Sequence, residues 1–179
     1  MSNPTRREAS GGSRVLSVDP RIRRIGFGCF ADGSLLEWGL QIIKPELTRT
    51  QAKQTAVMRV VRMLDEYSPS VLIVPRIGPD GIRRSQNASE IIRAISKEAV
   101  RRGITVQMLT TKEVKGRLAA KFGVVPTNKV AIRRILVEQY PALEARGLRA
   151  RRRWDTEQYN TPLFDAVAMY CAWYSPASP

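Results

Sequence analysis

Val15-Leu16-Ser17-Val18-Asp19-Pro20 and, beyond a short arginine-rich stretch, Ile25-Gly26-Phe27-Gly28-Cys29-Phe30 decide how this chain folds. Both runs have the length and apolar character of buried strands, and the first closes on a carboxylate. An unpaired carboxylate at the end of a buried strand costs several kcal/mol, so Asp19 needs a cation, a metal or a hydrogen-bonding loop beside it. Asp32-Gly33 then separates the second run from Leu35 to Ile43, which is the two-residue hairpin signal. The chain therefore opens as an antiparallel meander of three strands.

Further along, Val57, Val60, Val61 and Leu64 mark one face of a helix from Thr50 to Tyr67, and Val71-Leu72-Ile73-Val74 is a buried strand that ends at Pro75. A loop containing Gly78-Pro79-Asp80-Gly81 leads to a helix with Ile91, Ile92, Ile95 and Ala99 inward, which Gly103 terminates. Ile104 to Leu109 is a fifth strand. Thr110 or Thr111 caps the next helix, with Glu113 near the capping-box position, and Asn128 caps another whose inner face is Ile132, Ile135 and Leu136. A last helix from Pro162 to Tyr174 carries Leu163, Val167, Tyr170, Cys171 and Tyr174 on one broad face. The order β-β-β-α-β-α-β-α-α-α predicts an α/β fold: a mixed five-stranded sheet, three strands antiparallel and the later ones parallel, flanked by helices. Residues 1–13 read as a disordered arm, 14–175 as a single domain, and 144–160 as a basic linker before the last helix.

Composition narrows the chemistry. The 179 residues include 43% hydrophobic ones, enough for a core, yet carry a formal charge of +14 from 30 Lys+Arg against 16 Asp+Glu. Such an excess points to a polyanionic partner, with nucleic acid first. The chain has no stretch of about 20 apolar residues to span a membrane and no apolar core of a secretory signal. Cys29 and Cys171, each in an apolar pattern, read as buried thiols in a reducing, cytoplasmic compartment. With no histidine in the chain, triads and most transition-metal sites drop out, leaving carboxylates, lysine, hydroxyls or a hard metal. Carboxylates drawn together repel by about 1–4 kcal/mol per close pair, and holding Mg²⁺ or Mn²⁺ is the common reason to cluster them.

The stretch from Val15 to Pro20, followed by Ile25-Gly26-Phe27-Gly28, resembles the opening of RuvC-like Holliday-junction resolvases of the ribonuclease-H-like superfamily, with Arg21 where the family has a glycine. Leu163-Phe164-Asp165-Ala166-Val167-Ala168-Met169 resembles the family's final helix, and Thr127-Asn128-Lys129-Val130-Ala131 the segment that places a lysine before the penultimate helix. The resemblance runs from about Arg14 to Tyr174 and implies a Mg²⁺- or Mn²⁺-dependent endonuclease, a homodimer acting on branched DNA. It implies Asp19 and Asp165 as metal ligands and Lys129 as a catalytic residue. The family's strand-four glutamate falls at Val74-Pro75-Arg76, where no carboxylate stands, and the acid one turn before the final aspartate falls at Pro162. Some branches have a tryptophan and then an acid upstream of the last helix, which Trp154-Asp155-Thr156-Glu157 resembles; Glu157 is the favoured third ligand and Asp155 its rival. Asp80 is a further substitute for the absent glutamate.

Arg83, Arg84, Lys115, Arg146, Arg149, Arg151, Arg152 and Arg153 are the candidate nucleic-acid contacts, and Trp154 can stack on a base or anchor the core. Each residue also has a plain structural reading. Asp19 before Pro20 can be a turn former stabilised by Arg21, Arg23 or Arg24. Asp165 can be an acid complementing a helix N-terminus, and the basic runs can be solvated. Two other functions therefore remain open. One is a scaffold that binds nucleic acid without cutting; the other is an RNA-processing nuclease, since Arg23-Arg24-Ile25-Gly26 also resembles the opening of the pre-16S rRNA nuclease family.

Overall fold

Alternation along the first strand sends Leu16 and Val18 to one core and Val15 to another, so the sheet is buried on both faces. A computed structural model describes residues 13–78, 86–123, 128–146 and 160–174. Its elements are β1 (Arg14–Pro20), β2 (Arg24–Ala31), β3 (Ser34–Ile42), α1 (Arg49–Tyr67), β4 (Val71–Pro75), α2 (Gln86–Arg101), β5 (Thr105–Leu109), α3 (Thr111–Phe122) and α4 (Lys129–Gln139), then a 3-10 turn (Pro141–Arg146) and α5 (Thr161–Trp173). The five strands lie in the order β3-β2-β1-β4-β5, antiparallel from β1 to β3 and parallel from β1 through β4 to β5. This is the expected mixed sheet. Among the described residues no helix is long and apolar enough to cross a membrane.

The meander closes at Asp32 and Gly33, whose φ angles of 48° and 83° are those of a type I′ turn. Thr110 caps α3 in a full capping box with Glu113, and Asn128 caps α4 by accepting from the Ala131 amide at 2.9 Å. Two helical faces differ from expectation. Along α1 the buried side chains are Ala52, Ala56, Val60, Met63, Leu64 and Tyr67, and Val57 and Val61 sit on the flanks. Small alanines set that face, because α1 must share one side of the sheet with α2. In α5 nearly every residue is buried instead of one broad face, since it lies on the sheet beneath α3 and α4.

What seats α5 is a glycine. Gly26 of β2 lies directly under its first turn, and a Cβ there would run into the Pro162 carbonyl and the Leu163 amide. Ser17 adds a buried hydrogen bond from its hydroxyl to the Ala166 carbonyl at 2.7 Å. Further along, Phe30 of β2 stacks on Tyr170 of α5 with ring centroids 3.5 Å apart.

Gly26→Ala should therefore destabilise the protein by about 3 kcal/mol, because backbone and not a flexible side chain must move. Denaturant unfolding checks this; a loss of only a few tenths would mean that α5 can ride higher on the sheet. Cys29 and Cys171 are both buried, and burial pushes each thiol up to about 11. Neither should react with a thiol reagent at about pH 8 in the folded protein, and both should react in denaturant, which a colorimetric thiol count measures.

Candidate active site

β1 continues past its last apolar residue to place Asp19 at 0% exposure, on the same face as Ser17 and therefore toward α5. Across the ladder Asp19 pairs with Gly26, the residue that admits the first turn of α5. The helix thus begins next to the buried acid. Asp165 follows one turn into it, with its side chain 30% exposed.

One guanidinium joins the two acids. Arg21 follows Pro20, and its amide donates to the Arg24 carbonyl at 2.8 Å, which turns the chain from β1 into β2. Its side chain folds back, so that Nε donates to Asp19 Oδ2 at 3.2 Å and Nη2 to Asp165 Oδ2 at 3.0 Å. Of the three arginines open as partners for Asp19, Arg21 makes this contact, whereas Arg23 donates to the carbonyls of Lys44 and Leu47 at 2.6 and 2.7 Å. A second cation approaches from α4, where Lys129 Nζ lies 3.6 Å from Asp165 Oδ2.

α4 also anchors the start of α5 from outside. Arg133, one turn beyond Lys129 and only 3% exposed, donates from Nη2 to Thr161 Oγ1 at 2.8 Å. Its guanidinium lies 5.1 Å from the centroid of the Phe164 ring. The sequence held a sign of this residue, an arginine set directly in the apolar pattern Ile132, Ile135, Leu136.

The parallel register of β1 on β4 runs through Ser17 and Ile73, and continuing it brings Pro75 level with Asp19. Pro75 offers no oxygen ligand from its side chain. The next residue, Arg76, donates to the Met108 carbonyl at 3.2 Å and lies 3.6 Å from Glu113. Glu113 itself is held below the usual carboxylate range, first by the Thr110 amide it caps and then by the charges of Arg76 and Arg117.

The structure therefore brings together Asp19, Asp165 and Lys129 of the expected site residues, and adds Arg21. Lys115 is half-buried on α3, and no described contact ties it to the acid pair. Asp80, Arg83, Arg84, Arg149, Arg151, Arg152, Arg153, Asp155 and Glu157, like residues 1–12 of the expected arm, lie outside the described residues, and so does the side chain of Arg146. Among the described residues no group of three acidic or cysteine side chains forms a metal site. The donor chemistry of the pair nonetheless suits a hard divalent ion, because both groups are carboxylates and each turns an oxygen toward a common positive centre, the Arg21 guanidinium.

The architecture is ribonuclease-H-like: a five-stranded mixed sheet with its last helix laid across the central strands. Solved structures share it over most of the chain, among them two of RuvC and one of a Holliday junction resolvase. Thermus thermophilus RuvC matches with a TM-score of 0.64 at 18% identity, over 89% of this chain and 92% of that one. T. thermophilus RuvC in complex with a Holliday junction substrate matches at 0.59 and 22%, over 89% and 91%. The yeast mitochondrial Holliday junction resolvase Ydc2 matches at 0.62 and 12%, over 90% and 78%. At these identities the likeness is one of fold: the chain has the fold of the RuvC structures. No protein-family model and no curated protein matches the sequence.

The burial difference between the two acids gives an asymmetric prediction. Arg21→Ala removes a cation from a carboxylate with no solvent exposure and should cost about 2–4 kcal/mol. Asp165→Asn alters a partly exposed group and should cost less than about 1 kcal/mol. Unfolding curves of both variants measure the difference; equal losses would mean that Asp19 does not depend on Arg21.

Proposed function

We propose that this protein is a divergent RuvC-like resolvase, a Mg²⁺- or Mn²⁺-dependent endonuclease that hydrolyses phosphodiesters in branched DNA, with four-way junctions as its preferred substrate. The observation that carries this reading is the convergence of a fully buried Asp19 and Asp165 of the last helix on one positive centre, at the end of the central strand of a sheet folded as in RuvC. Divalent ions, when bound, would activate water and stabilise the leaving oxygen of an in-line displacement. Asp19 and Asp165 would hold them through hard oxygen donors.

The remaining residues do work of their own. Gly26, Ser17 and Arg133 fix the start of α5, so that Asp165 stays aimed at Asp19 without substrate. Lys129, whose side chain is 55% exposed beside Asp165, can meet a phosphate oxygen at the mouth of the site. The +14 charge draws in the polyanion, and Arg83, Arg84, Lys115, Arg146, Arg149, Arg151, Arg152 and Arg153 are its proposed contacts. Asp155 and Glu157 are the proposed further ligands. A four-way junction has two-fold symmetry, so a homodimer would put two such sites on equivalent strands.

A second reading rests on one observation. Level with Asp19 stands Pro75, followed by a cation in Arg76, and such a strand end also suits a scaffold that binds nucleic acid without cutting it.

A cleavage panel of four-way junction, duplex, single-stranded DNA and RNA, with and without Mn²⁺, separates the two. Junction nicking should require the metal and fall at least about 100-fold in Asp19→Asn and in Asp165→Asn, with junction binding retained. Binding should weaken with salt by a log–log slope of about −0.9 for each phosphate neutralised. Junctions bound but left intact by the wild type would support the second reading, and preferential cutting of RNA would assign the site to RNA processing.

A further inference from the structure

Arg21 uses one edge of its guanidinium on both acids, since Nε and Nη2 lie side by side in the planar fork. The atoms they grip, Asp19 Oδ2 and Asp165 Oδ2, are the oxygens that a hard cation would need. We propose that Arg21 is the resident cation of this acid pair, and that a divalent ion binds only when the guanidinium swings out. The inference deepens the nuclease reading above and rests on it.

Three features support the exchange. Among the described residues Arg21 and Lys129 stand at ion-pair distance from the two carboxylates, so a divalent ion must compete with positive charge already in place. Asp19 has no solvent exposure and needs a positive partner at all times, which makes Arg21 its stabiliser when no metal is present. The Arg21 side chain is 22% exposed while its amide is tied to Arg24, so the guanidinium has a way out to solvent that leaves the β1–β2 turn intact.

Metal affinity in the free protein is then the intrinsic affinity scaled by the fraction of molecules with Arg21 out. A phosphate offers the displaced guanidinium a partner as good as a carboxylate. Nucleic acid would therefore raise the affinity for metal, and metal the affinity for nucleic acid, by the same factor. Arg21 is thus a positioning residue that joins the two binding events. The hand-over moves one side chain and breaks no covalent bond.

The test is a Mn²⁺ titration of the full chain, read by electron paramagnetic resonance or calorimetry without nucleic acid, on wild type, Arg21→Gly, Arg21→Gln and Asp19→Asn. Circular dichroism confirms folding, and Arg21→Gln keeps a polar side chain at the position in case the glycine variant does not fold. Both Arg21 variants should bind Mn²⁺ at least about tenfold more tightly than wild type, as expected if no more than about a tenth of the free protein has the site open. Asp19→Asn should lose the binding. Repeating the titration with Ca²⁺ and a four-way junction should tighten metal binding in wild type and leave it unchanged in Arg21→Gln. Folded Arg21 variants that bind Mn²⁺ no more tightly than wild type overturn the proposal. If wild type still nicks junctions in that case, only the role of Arg21 falls; if Mn²⁺ binding tightens as expected but no form nicks any junction, the nuclease reading falls and the exchange stands.

Discussion

The contact between Gly26 and the first turn of α5 leaves the chain little freedom at the end of β1. The Pro162 carbonyl and Leu163 amide occupy the space a side chain on β2 would fill, so the helix backbone rests directly on the sheet. Gly26 is also the ladder partner of Asp19. Close approach and buried charge therefore share one rung, and the distance from helix to strand sets the distance from acid to acid. A shift of one residue in the β1–β2 register would turn Asp19 to the opposite face, into the core formed with α1 and α2. The Ser17–Ala166 and Arg133–Thr161 hydrogen bonds hold the same helix from the sheet side and the α4 side.

Given that geometry, electrostatics fixes the rest of the site. A carboxylate shut away from water beside a second carboxylate is tolerable only with positive charge in contact, and a local source is the turn that leaves β1. Arg21 is two residues from Asp19, so its backbone is placed by the same strand and the ion pair adds little ordering beyond the side chain. Lys129 comes from α4, whose position against α5 is set by Arg133. Among the described residues the two acids are met by Arg21 and Lys129, within a chain whose +14 charge attracts a polyanion.

Much of this was legible in the sequence, and for identifiable reasons. Asp32-Gly33 announces a hairpin because few residue pairs adopt positive φ twice in succession. Thr110 with Glu113 and the single Asn128 announce helix starts because they satisfy free amides locally. Asp19 drew notice as a charge at the end of an apolar run. Other features depended on partners distant in sequence. The burial of α5 on all sides follows from three layers meeting at it, and periodicity along one helix does not report that. Arg133 in an apolar pattern signalled a buried cation, but its partner Thr161 lies 28 residues away and no local rule connects the two. Arg21, Arg23 and Arg24 were equivalent as sequence; the turn geometry sends Arg21 onto Asp19 and Arg23 onto the carbonyls of Lys44 and Leu47.

Two departures from the resolvase pattern gain meaning together. Arg21 stands where the resemblance to RuvC-like resolvases implies a glycine, and Pro75 where it implies a glutamate. The first adds a positive charge beside Asp19, and the second leaves none of the negative charge that would stand level with it in the β1–β4 register. Either change alone would leave the end of β1 unbalanced: three acids around one guanidinium would still repel one another, and two acids without Arg21 would leave buried charge to be met from farther away. Among the described residues, both changes together leave two acids beside Arg21 and Lys129. Any divalent ion at this strand end must then compete with a guanidinium for the same two oxygens, and the outcome depends on what else is present to hold the arginine.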